Sequence, residues 1–274
     1  MAAGMLPRDP REVPAMKPSD RSLAQVRKNN ILKLVSTRGS ATVSELCEHF
    51  GVSPATIRND LRELEASQLI ERTHGGAMRS GKAAFEPDND VKSVHRVHEK
   101  AAIARAALRY IKPRDIISLD TGTTTYQLAM LLGSIEQLTV VTCDLQIAAW
   151  LESNTDVNLI LVGGQVRHGF HCTGGQTAIE LLSRLHVDKA FIAANAVDAN
   201  GPSTPTLEVA NIKTALVRSA DRVILLADAS KLGRSSFVTF AGLDAIDTII
   251  TSRDAEPERL KAFAAAGVKV CMTP

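Results

Sequence analysis

One turn in the chain combines glycine with several hydroxyl side chains. It runs from Asp120 to Thr125, reads Asp-Thr-Gly-Thr-Thr-Thr, and lies between a short apolar run and a helical segment from about Tyr126. Such a turn offers free backbone N–H groups, the positive end of a helix dipole and hydroxyl donors, which together suit a phosphate group. A helix cap without any ligand has the same pattern, so the motif alone leaves both interpretations open.

Polar residues also follow the later apolar runs. If those runs are parallel strands, their carboxyl ends meet at one edge of a sheet, and we expect the residues to converge there with the turn. They are Thr142-Cys143-Asp144, Gly163-Gly164, Asn195 with Asp198, Glu208 with Lys213, and Asp228 with Ser230-Lys231. Lys231 is placed to reach a phosphate or a carboxylate. Both Lys231 and Lys213 also fit the pattern of an exposed lysine on a helix.

A second set of residues is suited to reading DNA. Ile57, Leu61 and Leu64 have the spacing of one buried helical face. The polar residues left on the other sides of that helix are Thr56, Arg58, Asn59 and Arg62. Arginine pairs with guanine, asparagine pairs with adenine, and threonine contacts a thymine methyl group or a phosphate. An ordinary helical hairpin with a solvated polar face is the alternative interpretation.

The flanking sequence predicts how that helix is held. Thr42 and Glu45 have capping-box spacing, so a helix should begin there and end at Gly51. Ser53 should cap the next helix, with Pro54 at its first position. We therefore predict a helix-turn-helix.

An earlier helix and a following strand complete this predicted domain. A helix over residues 21–37, with Ile31, Leu32 and Val35 inward, supplies the third helix of the core. Residues 69–73 and the Gly75-Gly76 turn predict a wing whose polar side chains follow a phosphate backbone.

The C-terminal part has a different pattern. Short apolar runs alternate with helical segments, the first of them a helix from His95 that Pro113 ends. This alternation predicts an α/β domain with a mostly parallel sheet that is covered on both faces. The predicted strands are Ile116 to Leu119, Leu138 to Val141, Leu159 to Val162, Ala190 to Ala194, Val223 to Ala227, Thr248 to Ile250 and Val268 to Val270.

Composition agrees with two globular domains. The chain has 274 residues, of which 45% are apolar and 23% are charged. Residues 1–80 contain 12 Lys and Arg against 9 Asp and Glu, and the rest contain 20 against 21, so the small positive excess lies in the N-terminal part. The absence of an apolar run of membrane-spanning length and of a signal-peptide core predicts a cytoplasmic protein without a membrane partner.

The cysteines do not indicate a metal centre. Cys47, Cys143, Cys172 and Cys271 are spread along the chain without metal-ligand spacing. His171 beside Cys172 is a poor chelating pair because adjacent residues rarely bind one metal ion. We therefore predict reduced cysteines, no metal site and no cofactor.

These motifs resemble the DeoR-type bacterial transcriptional regulators. The segment Val-Ser-Pro-Ala-Thr-Ile-Arg-Asn-Asp-Leu at 52–61 and His-Gly-Gly-Ala at 74–77 are similar to that family's winged helix-turn-helix. The Asp120 turn, Gly163-Gly164 and Asp-Ala-Ser-Lys at 228–231 are similar to its C-terminal domain, whose fold resembles ribose-5-phosphate isomerase and the coenzyme A transferases. The closest likeness is to members that govern amino-sugar and hexitol use, such as the N-acetylgalactosamine regulators.

The resemblance implies an organisation and two sets of functional residues. It implies a disordered leader over 1–20, a winged helix-turn-helix over 21–78, a linker over 79–94 and a sugar-phosphate sensor over 95–274. The residues expected to bind DNA are Thr42, Ser53, Ala55, Thr56, Arg58, Asn59, Arg62, Arg72 and His74. Those expected to bind the ligand are Asp120, Thr121, Gly122, Thr123, Thr124, Thr125, Cys143, Gly163, Gly164, Asn195, Glu208, Lys213 and Lys231.

Two positions depart from the family pattern. Cys143 stands where asparagine is usual, and Ala193-Ala194-Asn195 replaces a strand end that commonly contains glycine. A cysteine does not supply the donor and acceptor of an amide, and a side chain in place of glycine narrows the approach to a ligand. We therefore expect either a different sugar or a weaker affinity.

The resemblance implies a repressor of carbohydrate catabolism genes. A homodimer or homotetramer would bind a double-stranded DNA operator, and a phosphorylated sugar would change its affinity. Two alternatives remain. One is an isomerase-like enzyme that uses Asp120 and Glu208 on a sugar phosphate, and the other is a nucleic-acid-binding regulator without a ligand.

Overall fold

The computed structural model describes residues 20–38, 40–66, 70–73, 75–79, 92–93 and 96–274. The chain divides between Gly81 and Lys82 into two compact units. Except for Asp20, the expected leader over 1–20 lies outside the described residues. The same is true of the expected linker over 79–94, apart from Arg79 and the helical pair Lys92 and Ser93. No described helix is both long and apolar enough to cross a membrane.

The first unit consists of three helices and a small antiparallel sheet with the order β1-β3-β2. Its elements are α1 (Asp20–Arg38), β1 (Ser40–Thr42), α2 (Val43–Phe50), α3 (Pro54–Ala66), β2 (Ile70–Thr73) and β3 (Gly76–Arg79). The three helices confirm the predicted helix-turn-helix core, and β2 with β3 forms the predicted wing. Strand β1 was not predicted, and the expected linker start at Arg79 is wrong because this residue pairs with Ile70 in the sheet.

The capping residues form the predicted contacts. Thr42 Oγ1 accepts the Glu45 N–H at 3.2 Å, and the Glu45 carboxylate accepts the Thr42 N–H at 2.7 Å. Gly51 leaves α2 in the left-handed conformation, with φ 64°. Ser53 Oγ accepts the Thr56 N–H at 3.2 Å at the start of α3. Local sequence therefore fixes both ends of the turn between α2 and α3.

Gly76 allows β1 and β3 to lie side by side. A Cβ atom on Gly76 would lie 2.1 Å from the carbonyl oxygen of Ala41, which is closer than any real contact. Since β1 leads directly into α2, this glycine allows the wing to pack beside the helix-turn-helix.

The second unit is built on a seven-stranded sheet of order β15-β14-β12-β9-β4-β5-β6, in which every neighbouring pair is parallel. The sheet strands are β4 (Ile116–Leu119), β5 (Thr139–Thr142), β6 (Asn158–Leu161), β9 (Val187–Ala193), β12 (Ala220–Leu226), β14 (Thr248–Thr251) and β15 (Lys269–Met272). Each corresponds to one of the seven predicted strands. The predicted mostly parallel sheet is therefore confirmed.

Helices cover both faces of this sheet. They are α4 (Val97–Leu108), α5 (Thr123–Ala129), α6 (Leu145–Asn154), α7 (Gln176–Leu182), α8 (Leu207–Arg218) and α9 (Pro257–Ala265). Side chains of α4, α5 and α6 share one core with Phe191 and Ile224, and side chains of α7, α8 and α9 share another with Ile192 and Leu225. Neighbouring residues of one strand thus enter opposite cores, as expected for a sheet buried on both faces.

Several details differ from the sequence expectation. Helix α4 ends at Leu108, five positions before Pro113, and α5 begins three residues before Tyr126. Five short strands outside the main sheet were missed. They are β7 (Gln165–Arg167), β8 (Cys172–Gly174), β10 (Ala196–Asp198), β11 (Gly201–Thr204) and β13 (Val238–Thr239). They form antiparallel pairs, and β7 in particular is too polar and too exposed to give an apolar run.

The register of the main sheet sets the position of the candidate site. Leu119 at the end of β4 is paired with Thr142 of β5 and Phe191 of β9. The segments that follow these strands therefore begin at the same level, on the carboxyl edge of the sheet.

Candidate functional site

The outward face of α3 carries the side chains expected to read DNA. Ala55, Arg58, Asn59 and Arg62 are exposed, and they lie opposite the buried stripe of Ile57, Leu61 and Leu64. Arg58 makes no hydrogen bond or ion pair with any residue that the structure describes. It is therefore available to a base or a phosphate.

Other polar side chains of this face contact each other. The Asn59 amide donates to Glu63 at 2.9 Å and accepts from Arg62 at 3.1 Å. Arg72 of the wing lies 3.6 Å from Glu65 in an exposed ion pair. Such exposed contacts are weak and would exchange readily for contacts with DNA.

Two of the expected DNA-binding residues use their hydroxyl groups in helix caps, and a third lies outside the described residues. The Thr42 hydroxyl is engaged with Glu45 inside the capping box, and the Ser53 hydroxyl is engaged with Thr56. The contacts of these two hydroxyls are therefore those of helix caps, although both residues are exposed. His74 lies outside the described residues.

In the second unit, Asp120 and Lys213 form a buried ion pair at the end of β4. Lys213 on α8 donates to Asp120 Oδ2, and the same oxygen accepts the Ala193 N–H at 2.9 Å. The Lys213 ammonium also donates to the Ala193 carbonyl at 2.8 Å. Asp120 is 1% exposed and Lys213 is 4% exposed, so burial strengthens this pair while making any loss of one partner costly.

We call the small space around this ion pair the Asp120 pocket. It is lined by Asp120, Thr121, Arg167, Cys172, Thr173, Gly174, Glu208, Val209, Ile212 and Lys213. Glu208 Oε2 lies 4.0 Å from Arg167 Nε across it. The sequence predicts Asp120, Thr121, Glu208 and Lys213 in one site, and the structure brings these four together.

A larger hollow, which we call the Lys100 cleft, adjoins the next residues of the turn. It has a volume of about 530 Å³ and is lined by Ser93, Val97, Lys100, Gly122, Thr123, Tyr126, Gln127, Gln146, Ala149, Trp150, Ser153 and Asn154. This volume is within the range of small-molecule sites. Consecutive residues of one turn therefore line both hollows.

The last two threonines of the turn are directed into the protein. Thr124 is buried, and Thr125 is fully buried, with its hydroxyl donating to the Gly122 carbonyl at 2.8 Å. The expectation that Thr125 offers its hydroxyl to a ligand is wrong because this hydroxyl closes the first turn of α5.

Asp144 supports the same turn from the neighbouring strand end. Its carboxylate caps α6 by accepting the N–H groups of Gln146 and Ile147, and it also accepts the Gly122 N–H at 3.4 Å. Burial, and to a smaller extent the charge of Asp120, raises the pKa of Asp144 to about 6. This carboxylate therefore holds the turn in place. With a pKa of about 6, it begins to bind a proton as the pH falls below neutral.

Several expected ligand residues line neither hollow. Cys143 is fully buried in the apolar core, where burial raises the pKa of its thiol to about 12, so the expectation that it borders the site is wrong. Asn195 accepts a hydrogen bond from Thr204. Gly163 is exposed, and Gly164 has φ 152° and approaches Gly174, where a Cβ atom would lie 2.3 Å from the carbonyl oxygen.

A group of charged residues lies where β12 and β14 end. Lys231 follows Asp228 in a short 3-10 turn, and its charge lowers the pKa of Lys100. Arg96 donates to Asp254 at 2.8 Å and lies 3.8 Å from Asp228. Lys231 is thus close enough to Lys100 to lower the pKa of that lysine, although Lys231 does not line the Lys100 cleft.

Two charged residues of these hollows were not found from the sequence. Arg167 follows the Gly-Gly element in a polar strand, and Lys100 lies in the helix predicted from His95. Neither position has a local motif, so only the tertiary fold places them beside the turn. Among the described residues, no group of three or more His, Cys, Asp or Glu side chains is arranged to hold a metal ion.

Comparison with protein families identifies both units. Residues 27–82 match the DeoR-like helix-turn-helix domain, and residues 95–253 match the DeoR C terminal sensor domain. The chain belongs to the DeoR family. It is therefore a DNA-binding transcriptional regulator and not an enzyme.

The similarity to individual DeoR-type regulators extends over most of each protein. The HTH-type transcriptional regulator GlpR of Haloferax volcanii is 37% identical over 246 residues, covering 89% of this chain and 96% of the relative. The glycerol-3-phosphate regulon repressor of Escherichia coli is 33% identical, with coverages of 84% and 91%. A putative aga operon transcriptional repressor of Escherichia coli O157:H7 is 31% identical, with coverages of 90% and 93%.

Proposed function

We propose that this DeoR-family regulator represses carbohydrate catabolism genes and that a phosphorylated sugar changes its affinity for DNA. In this proposal residues 21–79 bind the operator, residues 80–94 form the linker, and residues 95–274 form the sensor. Two of the relatives above are named repressors, which supports repression as the sign of regulation.

One observation carries the ligand half of the proposal. The Lys100 cleft combines Gly122 and Thr123 of the turn with a lysine that is only 7% exposed. A nearly buried ammonium beside hydroxyl and backbone N–H donors is a favourable environment for a phosphate dianion. The amide side chains of Gln127 and Gln146 supply donors and acceptors for sugar hydroxyl groups.

The DNA half rests on α3. This helix presents Arg58, Asn59 and Arg62 along one exposed stripe, and a helix of this kind fits the major groove. A homodimer or homotetramer would place copies of this helix on half-sites roughly one or two helical turns apart.

The test measures operator affinity with and without candidate ligands. Operator fragments are first selected by the full chain from a random duplex pool, and binding is then followed by fluorescence anisotropy. The ligand panel contains glycerol 3-phosphate, hexose phosphates and hexosamine phosphates, each beside its unphosphorylated counterpart. We expect one phosphorylated compound to weaken operator binding at least tenfold while its counterpart has no effect. Unchanged operator affinity across the whole panel would overturn the proposed function.

A matched pair of variants locates the ligand. Thr123→Ala removes a hydroxyl of the turn and should abolish the ligand response without changing operator affinity. Thr177→Ala removes an exposed hydroxyl from α7 and serves as the control. An unchanged response in Thr123→Ala would place the ligand outside the Lys100 cleft.

A further inference from the structure

The first described residues of the sensor unit are tied to the Lys100 cleft. The Lys100 ammonium donates to the backbone carbonyl of Lys92, eight residues earlier in the chain, at 2.5 Å. Ser93, the next residue, lines the cleft together with Thr123. The end of the segment that leads from the DNA-binding unit in sequence is therefore part of the wall of the cleft.

Lys92 is also linked to the other hollow, through the ring of Phe170. Its ammonium lies 5.7 Å from the ring centroid of Phe170, and the Arg167 guanidinium lies 4.2 Å from the same centroid. Arg167 lines the Asp120 pocket. Lys92 thus contacts Lys100 of the Lys100 cleft through its carbonyl, and through its side chain it shares the Phe170 ring with Arg167 of the Asp120 pocket.

The chain that follows Lys92 is held in place at Arg96. Arg96 has a left-handed backbone, with φ 51°, and is fixed by its hydrogen bond to Asp254 and its proximity to Asp228. A non-glycine residue keeps such a conformation only when its surroundings impose it. Arg96 therefore marks a fixed point, and Lys92 and Ser93 lie on the side of it that leads to the DNA-binding unit.

Within the part of the chain that the structure describes, Lys100 is an incompletely satisfied cation. It is 7% exposed, and the Lys92 carbonyl is its only hydrogen-bond acceptor among the described residues, although an ammonium has three N–H donors. Burial is the main reason why its pKa falls to about 8, and the nearby charges of Lys231 and Lys92 lower it further while Asp228 opposes the shift. A buried cation with one neutral acceptor is stabilised strongly by an anion.

We propose that Lys100 is a latch: a ligand phosphate takes the ammonium from the Lys92 carbonyl, and the release of Lys92 transmits ligand binding toward the DNA-binding unit. This inference rests on the proposed function and adds its mechanism of regulation. The latched state binds the operator well, and the released state binds the ligand well. Since linkage is reciprocal, any change that releases Lys92 without removing the phosphate contact must weaken operator binding and strengthen ligand binding together.

Two variants separate the latch from a purely structural role. Lys100→Met removes both the phosphate contact and the bond to Lys92, so we expect operator affinity without ligand to fall at least fivefold and ligand affinity to fall at least tenfold. Phe170→Leu loosens Lys92 but leaves Lys100 in place. It should weaken operator binding about threefold and strengthen ligand binding by a similar factor. Lys112→Met removes an exposed lysine elsewhere in the unit and is the control.

The measurements use the full chain, the selected operator, inorganic phosphate and the sugar phosphates of the panel. Hydrogen exchange at residues 92–100 should increase in both variants and in the ligand-bound wild type. Wild-type operator affinity in both latch variants, with a normal ligand response, would overturn the latch and leave the proposed function intact. A wild type that ignores every phosphate in the panel would instead overturn the proposed function and the ligand half of the latch, and the operator affinities of the two variants would still decide whether Lys92 is coupled to DNA binding.

Discussion

Each unit of this regulator contains a buried aspartate paired with a cation, but the two pairs have different surroundings. In the DNA-binding unit, Asp60 of α3 accepts two hydrogen bonds from Arg27 of α1, at 2.6 and 3.2 Å. In the sensor unit, Asp120 is paired with Lys213, and both also bind the backbone of Ala193. The first pair joins two helices, whereas the second lies beside a turn that lines a cleft.

The difference shows that a buried aspartate–cation pair can either fix the position of a helix or support a ligand site. The Arg27 and Asp60 side chains are 19% and 5% exposed, and Asp60 lies on the inward side of α3, away from Arg58. This pair therefore sets the position of the recognition helix without contacting DNA. Asp120 and Lys213 are more deeply buried and line a pocket with room for about one water molecule, and the turn that begins at Asp120 continues into the wall of the Lys100 cleft.

Breaking the Arg27–Asp60 pair should have the largest effect on operator affinity and on stability. Asp60→Ala leaves the Arg27 guanidinium without its partner, and loss of one member of a buried pair costs about 2 to 4 kcal/mol when the remaining cation is partly exposed. In a small unit this is a large part of the total stability. We expect operator affinity to fall more than 100-fold and the thermal transition of this unit to fall, while ligand binding to the sensor remains normal.

The controls for this prediction distinguish position from charge. Lys28→Met breaks a more exposed pair between the same two helices, with Glu63, and should cost less than about 1 kcal/mol. The double variant Arg27→Met/Asp60→Leu replaces the buried pair with apolar side chains and should restore much of the operator affinity. Persistent loss of binding in the double variant would mean that the pair does more than hold α3.

Breaking the Asp120–Lys213 pair should lower ligand affinity rather than operator affinity. Lys213→Met leaves Asp120 buried with only the Ala193 N–H, so we expect a less stable sensor and at least a 30-fold loss of ligand affinity, with operator binding largely kept. The double variant Asp120→Asn/Lys213→Met should recover the thermal transition but not the ligand response, as followed by calorimetry and by anisotropy. Recovery of both would show that this pair, like that of Arg27 and Asp60, is only structural.

Local sequence was sufficient for the parts of the fold that depend on neighbouring residues. The Thr42 capping box, the Gly51 terminus and the seven apolar runs each contain their own signal, and each predicted element exists. Strand β7 was missed because it is three residues long and exposed, without a continuous apolar pattern. Its position depends on pairing with β8, which only the folded chain reveals.

The candidate site was predictable only in part for the same reason. The Asp120 turn was recognised from its residue types, and parallel strands explain why Lys213 meets it. Side-chain direction was not readable, so Thr125 and Cys143 were included although both are buried inside. Lys100 was omitted because a lysine in an alanine-rich helix has no local sign of burial or of contact with Lys92.

A third buried aspartate should have the smallest effect, a pH-dependent change in stability. Asp144 is 1% exposed and has no cationic partner among the described residues, and only backbone N–H groups support its charge. Its pKa is therefore raised from 3.8 to about 6, mainly by burial. A carboxyl group with a raised folded-state pKa stabilises the protein fully below its unfolded pKa, and this contribution is lost as the pH rises through about 6.

The Asp144→Asn variant isolates this contribution because asparagine also caps helices well but does not titrate. Between pH 7.5 and pH 5 the wild type should gain about 1 kcal/mol of stability relative to the variant, since the folded state binds the proton that the unfolded state releases. Denaturant unfolding of both proteins at each pH measures the difference, in which all other titrating groups cancel. A difference independent of pH would mean that Asp144 stays ionised in this range and that the backbone N–H groups at Gly122 and α6 compensate its burial as fully as Lys213 does for Asp120.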